Sequence, residues 1–70
     1  MMAGMSDEAP EDDLDAYVGL DVRAAENRAG ERGWGMVRKL SPGEPMTMEY
    51  VPSRINFVLE DDVVRRCWQG

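Results

Sequence analysis

The chain has 70 residues, a net charge of −6, one cysteine and no histidine. That length holds one domain with a modest core. The missing residues exclude an internal disulfide, a Cys/His zinc site and hydrolysis through a histidine base.

The charge is unevenly placed. Residues 1–13 carry Asp7, Glu8, Glu11, Asp12 and Asp13 without a basic residue, while the rest of the chain holds nine acids against eight bases. Neither part offers the basic stripe that nucleic acid wants. No apolar run approaches membrane-spanning length. Residues 1–13 are expected to be a disordered acidic tail, because nothing in them offsets the entropy of ordering. Residues 14–70 are expected to form the domain. The N-terminus shows no basic start and no apolar core, so the sequence reads as cytoplasmic, or as secreted if a signal has been removed. A monomer is expected, since nothing requires a second copy. No nucleophile–base pair, cofactor motif or metal set can be assembled, so an enzyme is not expected.

In Leu14 to Leu20, the side chains of Leu14, Tyr17, Val18 and Leu20 are placed to lie against the core. Asp21 is a helix N-cap, with an acid at the positive end of the dipole. Val22 to Arg32 then reads as a helix whose narrow face of Val22, Ala25 and Ala29 suits close packing on a sheet. Gly33 is its C-terminal cap. Trp34 to Leu40 is a strand candidate without strict alternation. Arg54 to Glu60 alternates cleanly, with Ile55, Phe57 and Leu59 on one face. Asp61 and Asp62 make a turn, and aspartate tolerates left-handed geometry. Val63 to Trp68 returns antiparallel, with Val64, Arg66 and Trp68 on one side and Val63, Arg65 and Cys67 on the other. The fold class is α+β: a single helix packed on a small mixed sheet, with a long exposed loop between two strands. Arg65 and Arg66 read as solvated strand residues, and Cys67 as a half-buried free thiol.

The loop is the unusual part. Pro42, Pro45 and Pro52 fix φ locally and forbid a helix. The segment from Met46 to Val51 contains no glycine and should be extended and stiff. A loop this long inside so small a domain calls for a functional explanation.

Pro42-Gly43, Thr47-Met48-Glu49-Tyr50 and Pro52-Ser53-Arg54-Ile55-Asn56 stand in an order that resembles the potato type I serine protease inhibitors. The likeness is closer to their short bacterial and fungal relatives. The resemblance implies a serine protease inhibitor whose partner is a subtilisin-like or chymotrypsin-like enzyme. Met48 and Glu49 would flank the reactive bond, with Met48 in the S1 pocket. Met46, Thr47, Tyr50 and Val51 would lie in the protease cleft. Arg54 would reach back under the loop to the Glu49 carboxylate, the Thr47 hydroxyl or nearby carbonyls. Asn56 stands where many plant members carry a second arginine, and would donate to a backbone carbonyl. The resemblance implies no cofactor and no metal. The alternative is a non-inhibitory interaction module on the same scaffold.

Overall fold

The computed structural model describes residues 9–44 and 49–70. The Asp13 carboxylate accepts from the Asp15 N–H and starts a 3-10 turn, Leu14–Tyr17. Asp21 then caps α1, Val22–Arg32, by accepting from the Arg23 N–H at 3.0 Å. Gly33 ends it in the left-handed region, at φ 96°. Three strands follow: β1, Met36–Leu40; β2, Arg54–Glu60; and β3, Val63–Gln69. The expected α+β architecture is the observed one.

The sheet order is β1-β2-β3, with β1 and β2 parallel and β2 and β3 antiparallel. The parallel pair explains the long loop. After Leu40 the chain must travel back along the sheet before β2 can start in the same direction, and a tight turn cannot do that. The antiparallel pair needs only Asp61 and Asp62, which take φ 55° and 65° in a two-residue hairpin.

α1 brings Ala25 and Ala29, both fully buried, against the sheet. Their small side chains let the helix backbone approach closely. Ile55, Phe57 and Val64 fill the centre with Tyr17, and each fully buried side chain of this size stabilises by about 1.5–3 kcal/mol. The Tyr17 and Phe57 rings meet at a centroid distance of 5.5 Å. Gly19 to Asp21 runs along the outer edge of β3: the Gly19 N–H donates to the Val64 carbonyl, and the Val64 N–H to Leu20. That pairing covers part of an otherwise open strand edge.

Four expectations need correction. Val18 is 49% exposed, because the 3-10 turn ends there in extended backbone that turns it outward. The first strand begins at Met36 rather than Trp34, whose N–H still bonds the Ala29 carbonyl at the helix end. The strict alternation of β3 is broken. Its register shifts between Val58 and Leu59, so that Phe57 opposes Cys67 while Leu59 opposes Val64. The extra residue of this bulge puts Val64 and Cys67 on the same, core-facing side. Arg66 and Trp68 lie on the other face, where the Arg66 guanidinium sits 5.4 Å from the Trp68 ring centroid.

The fourth concerns the acidic stretch. Residues 1–8 lie outside the described residues, but Asp12 belongs to the fold. Its side chain is only 1% exposed. It accepts from the Tyr17 hydroxyl at 2.5 Å and from the Trp34 indole N–H at 2.9 Å, and Arg32 stands 3.9 Å away. Two buried aromatic donors needed an acceptor, and Asp12 supplies it.

Candidate functional site

The loop between β1 and β2 leaves the sheet through a turn at Ser41–Glu44. Pro42 sets φ at its first corner, and Gly43 takes φ 78° at the second, where a side chain would be strained. The two ends of the turn bind each other. The Glu44 N–H donates to the Ser41 carbonyl at 3.0 Å, and the Ser41 N–H donates to the Glu44 carboxylate at 2.8 Å. Met46, Thr47 and Met48, three of the expected loop contacts, lie outside the described residues. The described residues resume at Glu49.

From Glu49 onward the loop is tied to the start of β2 and to the end of β3. β2 explains this. Ile55 and Phe57 point to the helix, so Arg54 and Asn56 point the other way. Arg54 is 5% exposed and Asn56 fully buried, unusual for these residue types. Each is satisfied. Arg54 Nε donates to the Gly70 oxygen at 2.8 Å, and Nη2 to the Glu49 carbonyl at 3.1 Å. Its Nη1 lies 3.6 Å from the Glu49 carboxylate, which is 67% exposed. Arg54 thus joins the loop to the end of β3, mainly through backbone oxygens. The carboxylate contact is longer and wet.

Asn56 turns to the two neighbouring strands. Its amide N–H donates to the Trp68 carbonyl on β3 at 3.2 Å, rather than to a described loop carbonyl. Its Oδ1 accepts from Arg38 Nε at 2.9 Å. Asn56 therefore orients Arg38 on β1, which stands opposite it in the parallel register. Sequence reasoning missed Arg38, because the uneven pattern of Trp34 to Leu40 left its facing open.

Tyr50 and Val51 flank this brace. Tyr50 is 64% exposed, and its hydroxyl accepts from Gln69 Nε2. The Val51 N–H donates to the Gly70 oxygen at 3.3 Å, and the Val51 carbonyl accepts from the Arg54 N–H at 3.0 Å. The Ser53 carbonyl accepts from Gly35 at 2.9 Å, tying the loop end to the start of β1. A Cβ on Gly35 would lie 3.3 Å from Ser53 Oγ, so the approach there favours glycine. Gln69 and Gly70 were also missed, since terminal residues carry no periodic signal. Among the described residues no group of three or more His, Cys, Asp or Glu could hold a metal ion. No helix of the described residues is long and apolar enough to cross a membrane.

The arrangement can hold one main-chain segment, Glu49 to Ser53, in a fixed path that ends in a turn at Pro52 and Ser53. No curated protein and no solved structure matches the chain. The model of the peptidase inhibitor I78 family matches residues 13–66. This overturns the resemblance to the potato type I inhibitors, which are a distinct family. That resemblance ran from about Leu14 to Gly70, but its specific residues lay only in the loop and the second strand. The match takes in the helix, the first two strands with the loop between them, and the first half of β3. With well over half its length matched, the chain belongs to the peptidase inhibitor I78 family, a family of protease inhibitors.

Proposed function

We propose that this inhibitor acts on subtilisin-like or chymotrypsin-like serine proteases, by presenting the loop as a substrate whose reactive bond is Met48–Glu49. The observation that carries this reading is the hydrogen bond from the buried Arg54 guanidinium to the Glu49 carbonyl. It fixes the backbone one residue beyond the bond in question. An extended backbone held in advance adds to a protease cleft as a strand does, and loses little entropy on binding. Met46, Thr47, Tyr50 and Val51 supply the flanking contacts.

Met48 is unbranched and apolar, and it fills an open apolar S1 pocket. Its carbonyl carbon meets the protease serine, with the oxygen in the oxyanion hole. If the bond is cut, Arg54 keeps Glu49 in place. The new amine then stays beside the acyl-enzyme, and religation competes with hydrolysis.

The test is a transfer of specificity. Met48→Lys should create inhibition of a trypsin-like enzyme, whose pocket seeks a cation, and weaken inhibition of subtilisin and chymotrypsin. An unchanged profile would remove Met48 from the S1 pocket and overturn the assignment.

A further inference from the structure

Arg54 is not the whole brace. Gln69, the last residue of β3, donates two hydrogen bonds of 2.8 Å from Nε2, to the Tyr50 hydroxyl and to the Pro52 carbonyl. The Tyr50 ring lies directly over Gly70, where a Cβ would meet two ring carbons at 3.1 and 3.2 Å. Gly70 takes φ 127°, and its N–H donates to the Arg54 carbonyl at 2.9 Å. The end of β3 therefore grips the loop at Tyr50, Val51 and Pro52.

We propose that Gln69 is a positioning residue for the inhibitory cycle: it clasps Tyr50 and Pro52 so that the Glu49 side of a cut loop stays in register with the acyl-enzyme. The proposal deepens the reading of Met48–Glu49 as the reactive bond and rests on it. The chemistry suits the side chain. A primary amide nitrogen has two N–H groups, and here two acceptors, a phenol oxygen and a carbonyl, take one each. A carboxylate of the same length has no donor for the carbonyl.

In the cut state the protease serine oxygen is bonded to the Met48 carbonyl carbon, and Glu49 carries a free amine. Religation forms the Met48–Glu49 bond and breaks the ester, and the proton lost by the amine returns to the serine oxygen. Attack by water breaks the same ester and leaves a Met48 carboxylate instead. Which path wins depends on how closely the amine is held, and a drift of about 1 Å is enough to shift it.

The experiment compares the wild type with Gln69→Ala, Gln69→Glu, Tyr50→Phe and the double variant Gln69→Ala/Tyr50→Phe. Each is incubated with subtilisin, recording the inhibition constant and, by mass spectrometry, the rate at which chain cut at Met48–Glu49 accumulates. Gln69→Ala should raise that rate about tenfold, the scale of two lost hydrogen bonds, with a smaller change in the inhibition constant. Gln69→Glu should have a smaller effect than Gln69→Ala, because the Tyr50 hydroxyl can donate to the carboxylate while the Pro52 carbonyl loses its donor. Tyr50→Phe should fall between the wild type and Gln69→Ala, and the double variant should match Gln69→Ala, because the phenol bond cannot be lost twice. A Gln69→Ala variant cut at the wild-type rate, or effects of the two substitutions that add in full, would overturn the clasp while leaving the reactive-bond reading intact. A wild type that is neither bound nor cut at Met48–Glu49 would overturn both. Amide exchange of the Val51 N–H in the free protein separates the brace from the protease: it should quicken in Gln69→Ala, and an unchanged rate there overturns the clasp by itself.

Discussion

Arg54 reaches the Glu49 carbonyl from beneath, at 3.1 Å, while the Glu49 carboxylate stands further off at 3.6 Å and mostly in water. The two contacts differ in worth. A buried charged donor to a backbone oxygen is strong, and its loss leaves acceptors unpaired. An exposed ion pair contributes about 0–1 kcal/mol. Arg54→Ala should therefore cost about 3 kcal/mol of unfolding free energy. Glu49→Gln should cost below about 1 kcal/mol. Urea melts of the two variants check the contrast. Equal losses would show that the carboxylate, and not the carbonyl, carries the strut.

Asn56→Ala should destabilise by about 1–3 kcal/mol, because the hydrogen bonds to Arg38 Nε and to the Trp68 carbonyl are both lost inside the protein. Asn56→Asp keeps the acceptor for Arg38 and removes the donor to Trp68, so it should fall between the wild type and Asn56→Ala at neutral pH. Thermal melts rank the three.

Much of the fold could be read from the chain. The Asp21 cap, the Gly33 stop, the alternation of Ile55, Phe57 and Leu59 and the Asp-Asp turn are local signals with local causes, and each stands where it was expected. What escaped was set by tertiary pairing. The β3 bulge turns Cys67 inward through a register shift that no period-two pattern contains. The role of Asp12 depends on two distant aromatic donors, so within an acidic run it looked like solvated surface. At the site, Arg54 was legible because it directly follows the loop. Arg38 and Gln69 were not, because they meet it only once the sheet has formed.

Asp12 should give the stability a dependence on acid. Burial pushes its carboxyl up, but the Tyr17 hydroxyl, the Trp34 indole, the Asp13 N–H and the Arg32 charge together hold it below the ordinary 3.8. A carboxyl depressed in the folded state adds stability above its unfolded pKa and loses it as pH falls through the folded one. The wild type should thus lose stability more steeply than Asp12→Asn below about pH 4. At neutral pH Asp12→Asn should cost about 2 kcal/mol. Denaturant midpoints measured from neutral pH down to strong acid check both statements, and parallel curves would contradict the first.

Cys67 should be slow to react in the folded protein. Burial, then the Asp12 and Asp15 charges, push its thiol up to about 12. At pH 8 its alkylation by iodoacetamide should run roughly a hundredfold or more below that of the same chain unfolded in urea, since only the thiolate reacts. Folded and unfolded rates that agree would place the thiol in open solvent.

The most direct test of the central claim is a progress-curve assay of the purified protein against subtilisin and chymotrypsin, with Met48→Asp alongside. The account predicts tight inhibition of at least one enzyme that is lost in Met48→Asp, because a carboxylate cannot be desolvated in an apolar S1 pocket. Inhibition of equal strength by both proteins would contradict it and move the inhibitory contact off the loop.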